Sequence, residues 1–130
     1  MRALLIPVAE DWYAVPLGGV WMVLAEPRVT RVPSAPAVVL GLTNVRGEVV
    51  PVLDTGALIG ITPLRSCPHV AVLRLGPGPV ALGASAVPVV ETLGEELGPS
   101  QLRSGTARRR AEVGPVTVLD LADTLAGIAR

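Results

Sequence analysis

The stretch Val39 to Asp54, VLGLTNVRGEVVPVLD, constrains the fold more than any other part of this chain. Two apolar runs of β-type residues are joined at Asn44-Val45-Arg46-Gly47, which suits a tight hairpin. Gly47 takes up a positive φ at little cost, and the Asn44 side chain can bond nearby backbone and fix the turn. Pro51 has no amide to donate, so the return strand Glu48–Leu53 is expected at a sheet edge or bulged there. Asp54 is placed to cap a short helical turn, Thr55–Ile59, which Gly60 ends.

The rest of the chain is compatible with that beginning. At 130 residues it is one domain, long enough to bury roughly two thirds of its unfolded surface. Half the residues are hydrophobic, yet there are only two tryptophans, one tyrosine and no phenylalanine. A core of Val, Leu, Ala and Ile favours strands, because β-branched side chains suit a pleated, half-buried surface. The 14 glycines and 13 prolines fit many short strands and tight turns.

Apolar runs at Arg2–Val8 and Trp12–Val15 flank the acidic turn Ala9-Glu10-Asp11 as an opening hairpin. Val20–Leu24 and Val29–Val32 are further short runs, split by Glu26-Pro27, and Pro33-Ser34-Ala35-Pro36 is a loop. Thr62 to Pro68 is a linker between two halves. Val70–Leu75 and Val80–Leu82 form a hairpin across Gly76-Pro77-Gly78-Pro79, followed by Val87–Val90. Glu91 to Glu112 is polar and predicted irregular. Val116–Leu119 is a last strand, and Leu121, Leu125 and Ile128 set a helical spacing over Asp120–Ala129. About nine short strands with two brief helices predict a mainly β fold of the small-barrel kind.

Several function classes are disfavoured. The 11 basic residues, all arginine, balance 11 acidic ones, so the chain lacks the charge and the stacking aromatics of a nucleic-acid binder. The run Arg108-Arg109-Arg110 lies in a Ser/Gly/Thr-rich stretch and is expected to be a solvated loop. No apolar run approaches the roughly 18 residues of a membrane-spanning helix. The short apolar start is followed at once by Glu10 and Asp11, so it is taken as a strand, not an export signal. One cysteine, Cys67, excludes an intramolecular disulfide, and the expected location is the cytoplasm. Cys67 and His69 are the only candidates for an activated nucleophile. They lie two apart across Pro68 with no third group, so no catalytic set, metal site or cofactor is expected.

Arg46 is the residue left to explain. It stands on a rigid turn among Val45, Val49 and Val50, and arginine in such a setting is enriched at protein interfaces.

Gly41-Leu42-Thr43-Asn44-Val45-Arg46-Gly47, continuing Glu48-Val49-Val50-Pro51-Val52-Leu53-Asp54, closely resembles the signature of the CheW family of chemosensory coupling proteins. Asp11 to Val15, Val20 to Leu24 and Arg28 to Pro36 resemble the family's approach to that signature. Val116 to Leu121 resembles its closing strand before a final helix. The resemblance implies two packed SH3-like five-stranded β-barrel subdomains with a short C-terminal helix. They would form one domain over residues 1–130, with a boundary near 60–68 and terminal segments that cross between barrels. It implies a non-catalytic adaptor that binds a chemoreceptor cytoplasmic tip in a groove between the barrels. A CheA-type histidine kinase regulatory domain would bind at barrel edges. Partner-binding residues would be Gly41, Asn44, Val45, Arg46 and Gly47, with Val20 and Met22 from the third segment. Met22 stands where many relatives carry glutamate, and Ser85 where many carry aspartate. A stand-alone regulatory or ligand-binding barrel is the alternative.

Overall fold

The computed structural model describes residues 1–64, 66–76, 78–100, 105–110 and 114–126. Its strands are β1 (Arg2–Val8), β2 (Asp11–Pro16), β3 (Val20–Ala25), β4 (Val39–Val45), β5 (Glu48–Leu53), β6 (His69–Leu75), β7 (Gly78–Ala84), β8 (Val89–Thr92), β9 (Glu96–Pro99), β10 (Gly105–Arg110) and β11 (Gly114–Leu119). Two helices, α1 (Thr55–Leu58) and α2 (Leu121–Ala126), follow β5 and β11. The strands form a six-stranded sheet, β8-β1-β2-β11-β10-β9, and a five-stranded sheet, β3-β6-β7-β5-β4. The architecture is the mainly β, two-subdomain one expected, of SH3-like kind. Both sheets are open in hydrogen bonding, however, and one has a sixth strand.

The two sheets repeat one topology. In each, an antiparallel hairpin lies parallel to the next through a single short ladder, Val52↔Ala81 in one and Val118↔Ala14 in the other. The strands before the helices carry matching sequences, Val50-Pro51-Val52-Leu53-Asp54 and Val116-Thr117-Val118-Leu119-Asp120. Each ends in an aspartate whose carboxylate accepts a backbone N–H three residues on, from Ala57 and from Asp123. The chain leaves the first sheet through a 3-10 turn at Leu17–Gly19 and returns to it between β7 and β8. Residues 60–68 join α1 to β6 within the second sheet.

Three cores result. Leu4, Ile6, Val8, Tyr13, Val15 and Leu119 of the first sheet pack on Leu53, Ala71, Leu73, Leu82 and Ala84 of the second. Behind this shared layer the first sheet wraps Ala3, Leu5, Ala14, Leu93, Val116 and Val118. The second wraps Val45, Val50, Val52, Val70, Val72 and Ala81. Strand β1 is therefore buried on both faces, which is why Ala-Leu-Leu-Ile-Pro-Val runs without polar alternation.

Four expectations are corrected. Val29–Val32 is not a strand; only Thr30 bridges, to Leu42. Pro51 is interior, since β5 lies between β7 and β4. Both polar backbone atoms of Leu42 bond Thr30 at 2.8 Å, so the opposing Pro51 nitrogen faces away from β4. On that side the ladder to β7 begins only at Val52, and no donor is missed. The polar stretch after Glu91 contains β9 and β10. The arginine run lies on β10, where Arg110 makes two bonds to the Glu91 carboxylate, at 2.9 and 2.7 Å, and covers the Trp12 ring at 4.9 Å. Arg108 Nε donates to the Gly94 carbonyl at 3.0 Å. These contacts span the gap between β10 and β8, which are not ladder neighbours, and so clasp the open first sheet. Residues 127–129 of the expected helix, Pro77 of the expected turn, residue 65 of the expected linker and residues 101–104, 111 and 112 of the polar stretch lie outside the described residues.

Leu73→Ala, in the layer common to both sheets, should cost about 2–5 kcal/mol in urea unfolding while leaving one transition. The bonds from Arg110 hold the Glu91 carboxyl below its ordinary value of 4.5. Stabilisation from the clasp is thus complete above that value and is lost as pH falls through the lowered folded pKa. Glu91→Gln should flatten this part of the acid limb of stability, measured by thermal melts between about pH 3 and 6.

Candidate functional site: the β4–β5 hairpin tip

The β4 and β5 strands close through Val45↔Glu48, leaving Arg46 and Gly47 as a two-residue loop. Both have positive φ, 49° and 87°, the type I′ arrangement that matches strand twist. Gly47 was expected there, but Arg46 is also left-handed, a conformation that costs a non-glycine residue about 1 kcal/mol. The turn is held from outside by the Asn44 Oδ1, which accepts the Gly47 N–H at 2.9 Å. The backbone thus fixes the direction in which Arg46 leaves the sheet.

The Arg46 side chain is exposed and makes no hydrogen bond or ion pair among the described residues. Its nearest carboxylate in sequence is Glu48, and that group is committed elsewhere. Arg74 of β6 pairs with Glu48 while its guanidinium lies over the Trp21 ring, 4.1 Å from the centroid. Trp21 in turn packs against the aliphatic core of the second sheet. Beside the tip, Val49 is 65% exposed, the most exposed of the large hydrophobic residues among those described.

The seven sequence-predicted partner residues divide by exposure. Asn44, Arg46 and Gly47 form the exposed tip. Val45 is buried, and Met22 packs partly buried beside it in the second-sheet core, while Val20 packs on the layer between the sheets. Gly41 is buried beneath the loop that carries Thr30; a Cβ there would collide with the Thr30 carbonyl. Asp54, the last residue of the motif, is buried, and its carboxylate also accepts the Leu64 N–H at 3.1 Å. Much of the signature therefore builds the tip, and little of it is displayed. Ser85 fastens the return crossing, its N–H and hydroxyl both donating to the Pro7 carbonyl, at 2.9 and 3.0 Å.

Two surface hollows bear on the site. One of about 560 Å³ lies between β3 and β4, lined by Leu24, Ala25, Arg28, Leu42, Asn44 and Val49 among others. A smaller one of about 300 Å³ lies where β2 and β11 end, at Pro16, Gly19, Leu119, Asp120 and Leu121.

Sequence reasoning missed the Trp21–Arg74–Glu48 and Trp12–Arg110–Glu91 groups. The signal was the small number of aromatics: each tryptophan is covered by an arginine that a glutamate holds. No hydrogen bond joins the Cys67 and His69 side chains among the described residues. Burial, with the nearby Asp54 charge, pushes the Cys67 thiol up to about 11, away from the thiolate that chemistry needs. No cluster of metal-ligating side chains occurs among the described residues, and no helix there is long and apolar enough to cross a membrane.

A small β domain of two SH3-like subdomains, with a rigid arginine-tipped hairpin, is the class that fold and site define. The sequence profile of the CheW-like domain matches residues 2–128, and the chain belongs to that family. Over 65 residues it is 38% identical to the protein PilI of Pseudomonas aeruginosa, a match covering 48% of this chain and 36% of PilI. The match thus spans about a third of that relative's length. The crystal structure of the scaffolding protein TtCheW from Thermoanaerobacter tengcongensis superposes with a TM-score of 0.78 at 17% identity. That superposition covers 92% of this chain and 88% of TtCheW.

Gly41→Ala should push the Thr30 loop off β4 and lower stability by about 1–3 kcal/mol. Amide exchange checks it: the Thr30 and Leu42 N–H groups should lose protection while Thr43 and Val50 keep theirs.

Proposed function

We propose that this chain is a non-catalytic cytoplasmic adaptor. It joins the cytoplasmic tip of a chemoreceptor to the regulatory domain of a CheA-type histidine kinase. Membership of the CheW-like family supports the adaptor role. The observation that carries the receptor contact is Arg46: a guanidinium aimed by a left-handed turn, unpaired among the described residues, beside the exposed Val49. An acidic side chain on a helical receptor tip would meet Arg46, and its apolar neighbours would cover Val49. Because the turn is already ordered, little conformational entropy is lost on docking. The kinase would bind at sheet edges away from the tip.

A stand-alone ligand-binding barrel would be better served by an enclosed pocket with converging polar groups. The hollows described above open to solvent and are largely aliphatic-walled, which favours the adaptor.

The test is a pull-down of purified protein with a receptor tip fragment and, separately, with the kinase regulatory domain. Both are expected to be retained, and failure of both would refute the adaptor. Arg46→Ala should weaken receptor-tip binding roughly 10-fold or more, the range of an interface anchor, with kinase binding unchanged. Its melting temperature should stay within about 2 °C, since no contact of the fold is removed.

A further inference from the structure

We propose that the free edge of β3 is a docking slot for an extended peptide segment, which adds as a strand to the open second sheet. This goes beyond the contact assigned to Arg46: it borders that contact at Asn44 and Val49 but rests on the backbone groups of β3 and on Arg28.

The ladder between β3 and β6 fixes which backbone groups are available. Glu26 N–H donates to the Pro68 carbonyl at 2.7 Å, extending the register in which Leu24 faces Val70 and Met22 faces Val72. In an antiparallel pair, inward-bonding and outward-facing residues alternate. Met22, Leu24 and Glu26 therefore bond inward, and the N–H and C=O groups of Val23 and Ala25 face outward. No strand covers them: β3 ends its sheet, and neither residue has another backbone partner among the described residues. On the far wall, the bonds of Leu42 to Thr30 set the same alternation, so Asn44 too presents its backbone groups to the gap. Thr30 already pairs with β4 as a single-residue bridge, which shows that this seam accommodates added backbone.

The side-chain environment suits an extended occupant as well. The hollow of about 560 Å³ between the walls has Leu24, Leu42 and Val49 for apolar side chains of an incoming strand. Val23, 38% exposed, offers an apolar neighbour on the outer face. The charged residue lining the hollow is Arg28, for which no ion pair is formed among the described residues, and no carboxylate lines it. The occupant is thus an extended segment with alternating apolar residues and one acidic side chain. Strand addition of this kind draws affinity from main-chain bonds and specificity from the pockets between them.

The probe is a synthetic ten-residue peptide of alternating valine and threonine with one central aspartate, followed by amide exchange and chemical-shift titration on the intact protein. In the free protein the Val23 and Ala25 amides should exchange rapidly while those of Met22 and Leu24 are protected. Adding the peptide should protect Val23 and Ala25. Val23→Pro deletes the outward donor without removing a rung to β6, and should reduce peptide binding at least tenfold; a parallel melt verifies the fold. Arg28→Glu should weaken binding about tenfold with an unchanged melt, and Arg46→Ala should leave it unaltered. The proposal is overturned if the Val23 and Ala25 amides are already protected, if the peptide does not bind at about millimolar concentration, or if binding survives Val23→Pro. It is equally overturned if a helical peptide of the same composition binds at this edge more tightly. Protection of these amides that rises with protein concentration alone would assign the edge to a second copy of the chain instead.

Discussion

The layer in which Leu4, Ile6 and Val15 meet Leu73, Leu82 and Ala84 is the contact on which the rest of the structure depends. Each sheet is too small and too open to bury its own apolar surface. Wrapped alone, the second sheet would enclose little more than six small aliphatic side chains. Placing β1, β6 and β7 against one another buries both faces of each sheet's central hairpin and makes the halves one cooperative unit. The chain order follows from this. The amino-terminal hairpin joins strands β8 to β11, distant in sequence, in the first sheet, while β3 to β7, consecutive along the chain, make the second.

With the central strands committed to the shared layer, the sheet edges are left to side chains. In the first sheet Arg110, Glu91 and Arg108 clasp the gap between β10 and β8. In the second, Arg74, held by Glu48, lies over Trp21 on the edge strand β3. That pairing removes the carboxylate nearest to Arg46. The second sheet therefore carries a held arginine on β6 and a displayed one at the β4–β5 tip, and of the two the displayed one is free to recognise another molecule. Arginine suits both tasks because its fork pairs with a carboxylate while its flat face covers a ring.

What the sequence revealed follows the range of the forces involved. The hairpin, its Asn44 latch, the Asp54 cap and the opening strands are set by residues within a few positions of one another, and all were legible. Strand β10 was not, because three consecutive arginines look like a solvated loop until Trp12 and Glu91, distant in sequence, supply a ring for the Arg110 guanidinium to cover and a partner for its charge. Val29–Val32 failed in the opposite sense: the residues have strand propensity, but β4 gives this segment a single bridge. At the tip, exposure could not be read from residue type. Met22 and Val45 are as apolar as Val49, yet the strand pleat sends them inward and Val49 out. The paired Val-x-Val-Leu-Asp segments were visible in the sequence and, compared with each other, would have announced the repeated topology.

The distribution of tryptophan has an optical consequence. Trp12 belongs to the first sheet and Trp21 to the second, and each lies under a guanidinium. The intrinsic fluorescence of the chain is therefore a two-channel signal, one emitter per half. Trp21 is linked to the hairpin tip through Arg74 and Glu48, whereas Trp12 answers to the clasp of the other sheet. Replacing either with phenylalanine isolates one emitter, so that events at the tip and opening of the first sheet can be followed separately without an added dye.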